Sequence, residues 1–177
     1  RQRQMCIRDR NGTDFVKIKC EKSYKFDQNY QNTINNLIIN KPKTNNKIKE
    51  YFLKKDKFVT DILEKKIILF LKQKKINKKN IDLISISGQT VYHDPSNKIS
   101  IQLGNGNKIA KNLKVKTISN LRDNDIKNGG QGAPIGSYYH KFLIQKFKEK
   151  AIIVNLGGIA NFSTVVSRTL LLSLIHI

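Results

Sequence analysis

Three short glycine-rich segments of the sequence have polar neighbours that could bind a sugar or a phosphate. They are Gly88-Gln89-Thr90, the run from Gly129 to Gly132, and Gly157-Gly158. Glycine lets the backbone approach a ligand closely, and successive N–H groups can hold anionic oxygens. The polar side chains beside these segments suit the hydroxyl and amide groups of a sugar, and they are Gln89, Thr90, His93, Arg122, Asp125, Gln131 and Asn161. The loops alone predict an α/β protein that binds a phosphate or a sugar.

Other kinds of chemistry have less support in the sequence. None of the glycine-rich segments has the Walker A or the GxGxxG spacing of nucleotide-binding loops. The three histidines, His93, His140 and His176, have no metal-ligand spacing to a cysteine, and His140 is expected to be structural. No Gly-x-Ser-x-Gly elbow occurs, and Cys20 is not expected to act as a nucleophile.

The elements that would position these loops alternate between strand and helix. Alternating or continuous apolar runs predict strands at 15–20, 81–86, 99–103, 115–119 and 151–156. Helical spacing of apolar residues predicts helices around 34–39, over 59–75 and over 134–148, the last with Pro134 in its first turn. Asp61 and Glu64 are spaced like a capping box. This alternation predicts the α/β class.

The composition predicts an ordered domain rather than a disordered or membrane-spanning chain. A length of 177 residues is enough for one domain, or slightly more, with its own core. Hydrophobic residues make up 38%, which is too much for a disordered polycation. The longest apolar stretch, Ile67 to Leu71, is far too short to cross a bilayer. Cys6 and Cys20 cannot form a disulfide framework, which favours a reducing, cytoplasmic location.

The strong positive charge has two interpretations. The net charge is +21, and the window 41–80 contains fourteen lysines against four acidic residues. A nucleic-acid-binding face is one interpretation. However, aromatic residues are not interleaved with the lysines for base stacking, and the chain is rich in Lys, Asn and Ile, which AT-rich codons encode. A solvated lysine surface is therefore favoured, and neither nucleic acid nor a membrane is expected as a partner.

Both ends of the chain are expected to be foreign to the fold. Residues 5–10 read MCIRDR and residues 172–177 read LSLIHI. The two segments resemble translations, on opposite strands, of one transposon end that is used to build sequencing libraries. We therefore expect 1–10 and 172–177 to be adapter-derived artefacts and the natural protein to extend beyond both ends.

Four longer motifs occur together in a recognisable order. They are Ser-Gly-Gln-Thr-Val-Tyr-His-Asp-Pro (87–95), Ile-Gln-Leu-Gly-Asn (101–105), Asp-Ile-Lys-Asn-Gly-Gly-Gln-Gly-Ala-Pro-Ile (125–135) and Val-Asn-Leu-Gly-Gly-Ile-Ala-Asn-Phe (154–162). In this order and spacing the chain resembles the anhydro-N-acetylmuramic acid kinase family, within the actin, hexokinase and sugar-kinase superfamily. The resemblance covers residues 11 to about 166 and is weakest between 21 and 80.

The resemblance implies a fold and an activity. It implies an actin-like ATPase (ribonuclease-H-like) lobe over 11–150, with a mixed sheet flanked by helices, and the first strands of a second, similar lobe over 151–171. Members of the family open the 1,6-anhydro ring of the sugar with water and phosphorylate O6 with ATP and Mg²⁺, in peptidoglycan recycling. The products are N-acetylmuramic acid 6-phosphate and ADP. The resemblance also implies a homodimer.

The resemblance assigns roles to individual residues. It places ATP phosphates at Gly12, Thr13, Asp14, Gly157 and Gly158, and Mg²⁺ at Asp14. Arg122 and Asp125 match the family's loop before Gly-Gly-Gln-Gly-Ala-Pro, which contacts the sugar.

Several positions depart from the family pattern. Asn11 and Ser87 stand where the family has Asp and His, and Asp123 and Asn124 stand where it has Arg. The family's catalytic aspartate belongs to an Asp-x-Gly-Pro-Gly-Asn motif that does not occur in these 177 residues, so this fragment is expected to be inactive. The alternatives are another sugar kinase, a non-catalytic sugar- or phosphate-binding member of the superfamily, or a nucleic-acid-binding module.

Overall fold

The computed structural model describes residues 2–10, 16–136, 139–140, 143–144, 151–155, 159–166 and 169–176. Five α-helices have defined bounds within this part of the chain. They are α1 (Gln28–Ile39), α2 (Ile48–Leu53), α3 (Asp56–Gln73), α4 (Gly106–Leu113) and α5 (Asp123–Lys127). No helix among the described residues is long and apolar enough to cross a membrane.

In the described part of the chain, nine strands form four small sheets. β1 (Gln2–Arg10) and β2 (Val16–Lys25) pair antiparallel, and so do β4 (Gln89–Asp94) and β5 (Ile99–Leu103). β3 (Ile84–Ser85) and β6 (Thr117–Ile118) pair parallel. β7 (Ile152–Asn155), β8 (Ile159–Val166) and β9 (Thr169–His176) form an antiparallel sheet in that order. The mixture of parallel and antiparallel pairs with helices confirms the α/β class and is consistent with the expected actin-like lobe.

One hydrophobic core joins the helices to the β4–β5 hairpin. Its members are buried side chains from four helices, the β4–β5 hairpin and the segments beside them, namely Phe26, Tyr30, Ile34, Leu37, Ile48, Phe52, Val59, Leu63, Ile67, Ile86, Val91, Ile101, Leu103, Ile109, Leu113 and Val115. Phe52 and Val59 are fully buried. At one edge the Phe26 ring stacks on Tyr30 with 4.0 Å between centroids. Burial of this apolar surface holds the hairpin against the helices.

The longest helix begins earlier than predicted, and its predicted capping box is wrong. The apolar positions Val59, Leu63, Ile67 and Phe70 are buried along one face of α3, as the spacing predicts. The helix starts at Asp56, however, so Asp61 lies in its second turn and cannot cap it. Asp61 instead pairs with Lys57 on the same helix, at 3.0 Å, and with Lys108 on α4.

α3 also holds the loop that starts α4. The fully buried Thr60 hydroxyl donates to the Asp56 carbonyl at 2.7 Å and accepts the N–H of Asn105 at 2.8 Å. The Asp56 carboxylate accepts the N–H of Gly104 at 2.8 Å. Asn105 then caps α4, because its side-chain oxygen accepts the N–H of Lys108 at 2.9 Å. The end of β5 and the start of α4 are thereby fixed to α3.

Other predicted elements differ in the structure as well. The predicted strand 81–86 forms only two residues of strand, because its parallel partner β6 is equally short. The predicted buried strand 151–156 is β7, but Ile152 and Val154 are 64% and 58% exposed. Pro134 lies before the helix rather than in its first turn. A helical hydrogen bond runs from the N–H of His140 to the carbonyl of Gly136 at 2.9 Å, and Pro134 is two residues before that carbonyl.

Candidate functional site

The Gly-Gly-Gln-Gly segment is held against α5 by two of the predicted sugar-binding residues. A terminal guanidinium nitrogen of Arg122 donates to the carbonyl of Gly132 at 2.6 Å. The Asp125 carboxylate accepts the N–H of Gly132 at 2.6 Å. The main-chain carbonyl of Asp125 accepts the N–H of Gly130 at 2.8 Å. Both main-chain groups of Gly132 are therefore bound by side chains of one helical turn.

The glycines at 130 and 132 allow this close approach. A Cβ at Gly130 would overlap the Asp125 carboxylate, and one at Gly132 would lie 2.7 Å from Cδ1 of Ile126. Gly132 also has a φ of +64°, which L side chains rarely adopt. In this loop the glycines therefore bring the backbone against α5, and the expected contact with a ligand stays a prediction.

His93 connects the β4–β5 hairpin to the same loop. Its Nδ1 lies 3.0 Å from the Ser100 hydroxyl across the hairpin. Burial lowers the pKa of His93, and the positive charge of Arg122 lowers it further, against the opposing effects of Asp94 and of a hydrogen bond to the main chain of Gln131. The structure thus brings His93, Arg122, Asp125 and Gln131 together, and their common role in binding a sugar stays a prediction.

Ser100 and Gln102 belong to this network but are not among the predicted site residues. The Gln102 amide nitrogen donates to the Ser100 hydroxyl at 2.6 Å, and that hydroxyl meets His93. Both residues lie on β5, two positions apart, so their side chains emerge on the same face of the hairpin. Apolar and polar residues alternate over 99–103, and this alternation predicts the strand. The same alternation could have shown that Ser100 and Gln102 lie on one face of it.

Gln89 and Thr90 begin strand β4, where the sequence suggested a loop. Gln89 is buried at 7% exposure; it accepts a hydrogen bond from the Tyr30 hydroxyl at 3.3 Å and donates to the carbonyl of Thr90 at 3.1 Å. Thr90 lies opposite Gln102 in the antiparallel register. These bonds join the start of β4 to helix α1.

Other predicted site residues lie outside the described part of the chain. These are Gly12, Thr13, Asp14, Gly157 and Gly158, the proposed contacts of the ATP phosphates. Asn161 is described only in its backbone, on β8 opposite Asn155. Among the described residues no group of three or more His, Cys, Asp or Glu side chains could hold a metal ion. His140, expected to be structural, lies 2.8 Å from the Ser163 hydroxyl.

Comparison with known families decides the identity of the chain. The profile described as anhydro-N-acetylmuramic acid kinase matches residues 9–171. The chain belongs to the anhydro-N-acetylmuramic acid kinase family. The match includes all four motifs that carried the resemblance, at 87–95, 101–105, 125–135 and 154–162.

Curated relatives with the anhydro-N-acetylmuramic acid kinase name give the extent of the similarity. The chain is 37% identical to the protein of Pelagibacter ubique over 148 residues, which are 78% of this chain and 38% of that protein. It is 36% identical to the protein of Sulfurimonas denitrificans over 143 residues, or 80% of this chain and 38% of that protein. The chain therefore spans less than half the length of these anhydro-N-acetylmuramic acid kinases.

Proposed function

We propose that the protein containing this chain is an ATP-dependent kinase that opens the 1,6-anhydro ring of anhydro-N-acetylmuramic acid and phosphorylates O6. Water adds its oxygen to C1 as the bond from C1 to O6 breaks, and O6 takes the γ-phosphoryl group of ATP. The products are N-acetylmuramic acid 6-phosphate and ADP. The family match over residues 9–171 is the observation that carries this proposal.

The described site supports a sugar-binding role for the loop at 129–132. Arg122, at the start of α5, and Asp125 within it bind both main-chain groups of Gly132, and His93 contacts the main chain at Gln131. A loop held in this way presents its remaining polar groups at fixed positions, which lowers the entropy lost when a sugar binds. The side chain of Gln131 is exposed and free to meet a sugar hydroxyl or amide.

The proposed nucleotide contacts have suitable chemistry. Main-chain N–H groups of Gly12, Gly157 and Gly158 and the hydroxyl of Thr13 are donors that suit phosphate oxygens. The Asp14 carboxylate is an oxygen ligand of the kind that Mg²⁺ prefers. Mg²⁺, when bound, neutralises charge on the phosphate oxygens during phosphoryl transfer. The catalytic base is proposed to lie outside this chain, in the Asp-x-Gly-Pro-Gly-Asn motif of the family.

The proposed surroundings of the enzyme follow from the same family membership. We place the protein in the cytoplasm, where peptidoglycan fragments are phosphorylated for reuse, and we propose that it forms a homodimer. Sedimentation equilibrium of the intact protein tests the second statement, since a mass of one protomer at micromolar concentration would refute it.

A coupled assay for ADP tests the activity. The intact protein with ATP and Mg²⁺ should release ADP with anhydro-N-acetylmuramic acid, and far more slowly with glucose or N-acetylglucosamine. Asp14→Asn should abolish the release, whereas the matched exposed variant Asp82→Asn should leave it unchanged. Release of ADP with glucose but not with the anhydro sugar would instead identify a different sugar kinase.

A further inference from the structure

His93 and Ser100 face each other across the β4–β5 hairpin. They are direct partners in the antiparallel register, and Nδ1 of His93 lies 3.0 Å from the Ser100 hydroxyl. Two residues further along β5, on the same face, the buried Gln102 donates its side-chain N–H to that hydroxyl at 2.6 Å. A hydroxyl that accepts this bond keeps its own proton, which it can donate to the imidazole ring.

The second ring nitrogen of His93 connects the hairpin to the glycine-rich loop. The hydrogen bond between the ring and the main chain of Gln131 favours the protonated ring, so the main-chain group is the carbonyl, which accepts. Because Nδ1 meets Ser100, Nε2 is the nitrogen left to donate to this carbonyl. A neutral imidazole carries one N–H only, so the two contacts together place the proton on Nε2 and leave Nδ1 as an acceptor.

Both ring nitrogens of His93 are therefore used inside the protein, although the ring itself is exposed. A sugar hydroxyl that bonded to either nitrogen would have to displace one of these two partners. Arg122 and Asp125 bind the same loop at Gly132 from the side of α5, and His93 adds an attachment from the side of the hairpin. The contacts of the ring thus fix the main chain beside the exposed side chain of Gln131.

We propose that Ser100, held by Gln102, is a positioning residue that keeps His93 as the neutral Nε2–H tautomer. His93 in turn holds the main chain of Gln131 in place for the sugar and does not contact the sugar through a ring nitrogen. The part that concerns the sugar rests on the proposed kinase function. The tautomer and the attachment of the loop do not depend on it.

The sign of one pKa change tests the tautomer. If Ser100 donates to Nδ1, its hydroxyl stabilises the neutral ring, so Ser100→Ala should raise the pKa of His93 by roughly half a unit to one unit, the equivalent of one ordinary hydrogen bond. Arg122 and Asp94, the charged groups that act on the ring, are unchanged in this variant. Ser100→Thr keeps the hydroxyl and should keep the pKa of the unmodified protein. Ser96→Ala, at the exposed turn of the hairpin, is the matched control.

The pKa is measured by NMR titration of the intact protein labelled with ¹⁵N-histidine, without sugar or ATP. A fall of the His93 pKa in Ser100→Ala would place the proton on Nδ1, because the hydroxyl would then have been an acceptor for the ring. Either a fall or an unchanged value would overturn the proposal.

Two substitutions of His93 test the attachment of the loop. The side-chain nitrogen of glutamine reaches about as far as Nε2 of histidine, whereas that of asparagine reaches only about as far as Nδ1. His93→Gln should therefore keep the bond to the Gln131 carbonyl, and His93→Asn should lose it. The amides of Gly130 and Gly132 should exchange with solvent at least about fivefold faster in His93→Asn than in His93→Gln, as expected for one lost hydrogen bond. Equal exchange in the two variants would show that the ring does not hold the loop.

Addition of anhydro-N-acetylmuramic acid without ATP tests the part that concerns the sugar. The side-chain amide signals of Gln131 should shift, and the ¹⁵N signals of both His93 ring nitrogens should stay where they are. A shift of either ring nitrogen as large as that of Gln131 would show that the sugar bonds to the ring and would overturn this part. If no signal of the protein moves, the proposed substrate is wrong, and the titration without sugar still decides the role of Ser100.

Discussion

At the scale of single residues, the site is a set of polar groups that bind one another. Arg122 and Asp125 hold the two main-chain groups of Gly132, and His93 reaches the same loop from the hairpin. The sequence could show that these residue types suit a sugar. It could not show that several of their hydrogen bonds are made within the protein, because those partners depend on how α5, β4 and the loop pack together.

Removing the Asp125 carboxylate should release the glycine-rich loop. Asp125→Ala deletes the acceptor of the Gly132 N–H, so this amide should exchange with solvent at least about tenfold faster, which corresponds to one lost hydrogen bond. Amide hydrogen exchange measured by NMR checks this. Asp82→Ala, at an exposed position, is the control and should leave the exchange of Gly132 unchanged. Unaltered protection in Asp125→Ala would show that the loop is held by other contacts.

His93, on the β4–β5 hairpin, should make the free energy of unfolding depend on pH. Its pKa in the folded protein lies below the ordinary value of 6.5, so the unfolded chain takes up the proton first as the pH falls. The stabilisation is complete above pH 6.5 and is lost as the pH falls from there through the folded pKa. Denaturant unfolding at pH 7.5 and pH 5 should show a smaller loss of stability in His93→Asn than in the unmodified protein. An identical loss in both proteins would contradict this.

At the scale of elements, apolar periodicity predicted the helix α3 and the strand β5 but missed the strand β4. The predicted helix 59–75 is α3 over 56–73, and the predicted strand 99–103 is β5 at the same bounds. β4 was missed because its polar residues suggested a loop, and the irregular pairing between Thr90 and Tyr92 interrupts the alternation that marks a strand. Its strand conformation comes from pairing with β5, which is a tertiary contact.

The junction between α3 and α4 should depend on one buried hydroxyl. Thr60→Val keeps the shape of the side chain but leaves the N–H of Asn105 without its acceptor. We expect the free energy of unfolding to fall by about 1–3 kcal/mol, the usual cost of a buried group left unpaired. Thermal or urea unfolding measures this, with Thr44→Val as the control at an exposed position. A change of the same size in both variants would mean that the effect is not due to the buried hydrogen bond.

At the scale of the whole molecule, the chain matches only part of the length of its curated relatives. It spans about 38% of the length of relatives from Pelagibacter ubique and Sulfurimonas denitrificans. Lysines are exposed along α3 and around it, while Lys66 and Lys41 lie over the rings of Tyr24 and Tyr92, each 5.5 Å from the ring centroid. This distribution supports a solvated basic surface.

The basic surface should not act as a specific nucleic-acid site. Any binding of the protein to duplex DNA should be independent of sequence and should disappear between about 50 mM and 200 mM salt, because phosphate contacts alone would carry it. Fluorescence anisotropy with two unrelated duplexes measures both properties. Retention of one duplex and not the other at the higher salt concentration would favour the nucleic-acid interpretation of the charge.

The reaction in isotopically labelled water tests the proposed function most directly. The intact protein is supplied with ATP, Mg²⁺ and anhydro-N-acetylmuramic acid in H₂¹⁸O, and the sugar product is analysed by mass spectrometry and ³¹P NMR. We predict one ¹⁸O atom on C1 and an unlabelled phosphate ester on O6, since water opens the ring while O6 receives the phosphoryl group. Labelled inorganic phosphate with an intact anhydro ring would show ATP hydrolysis alone and would contradict the account.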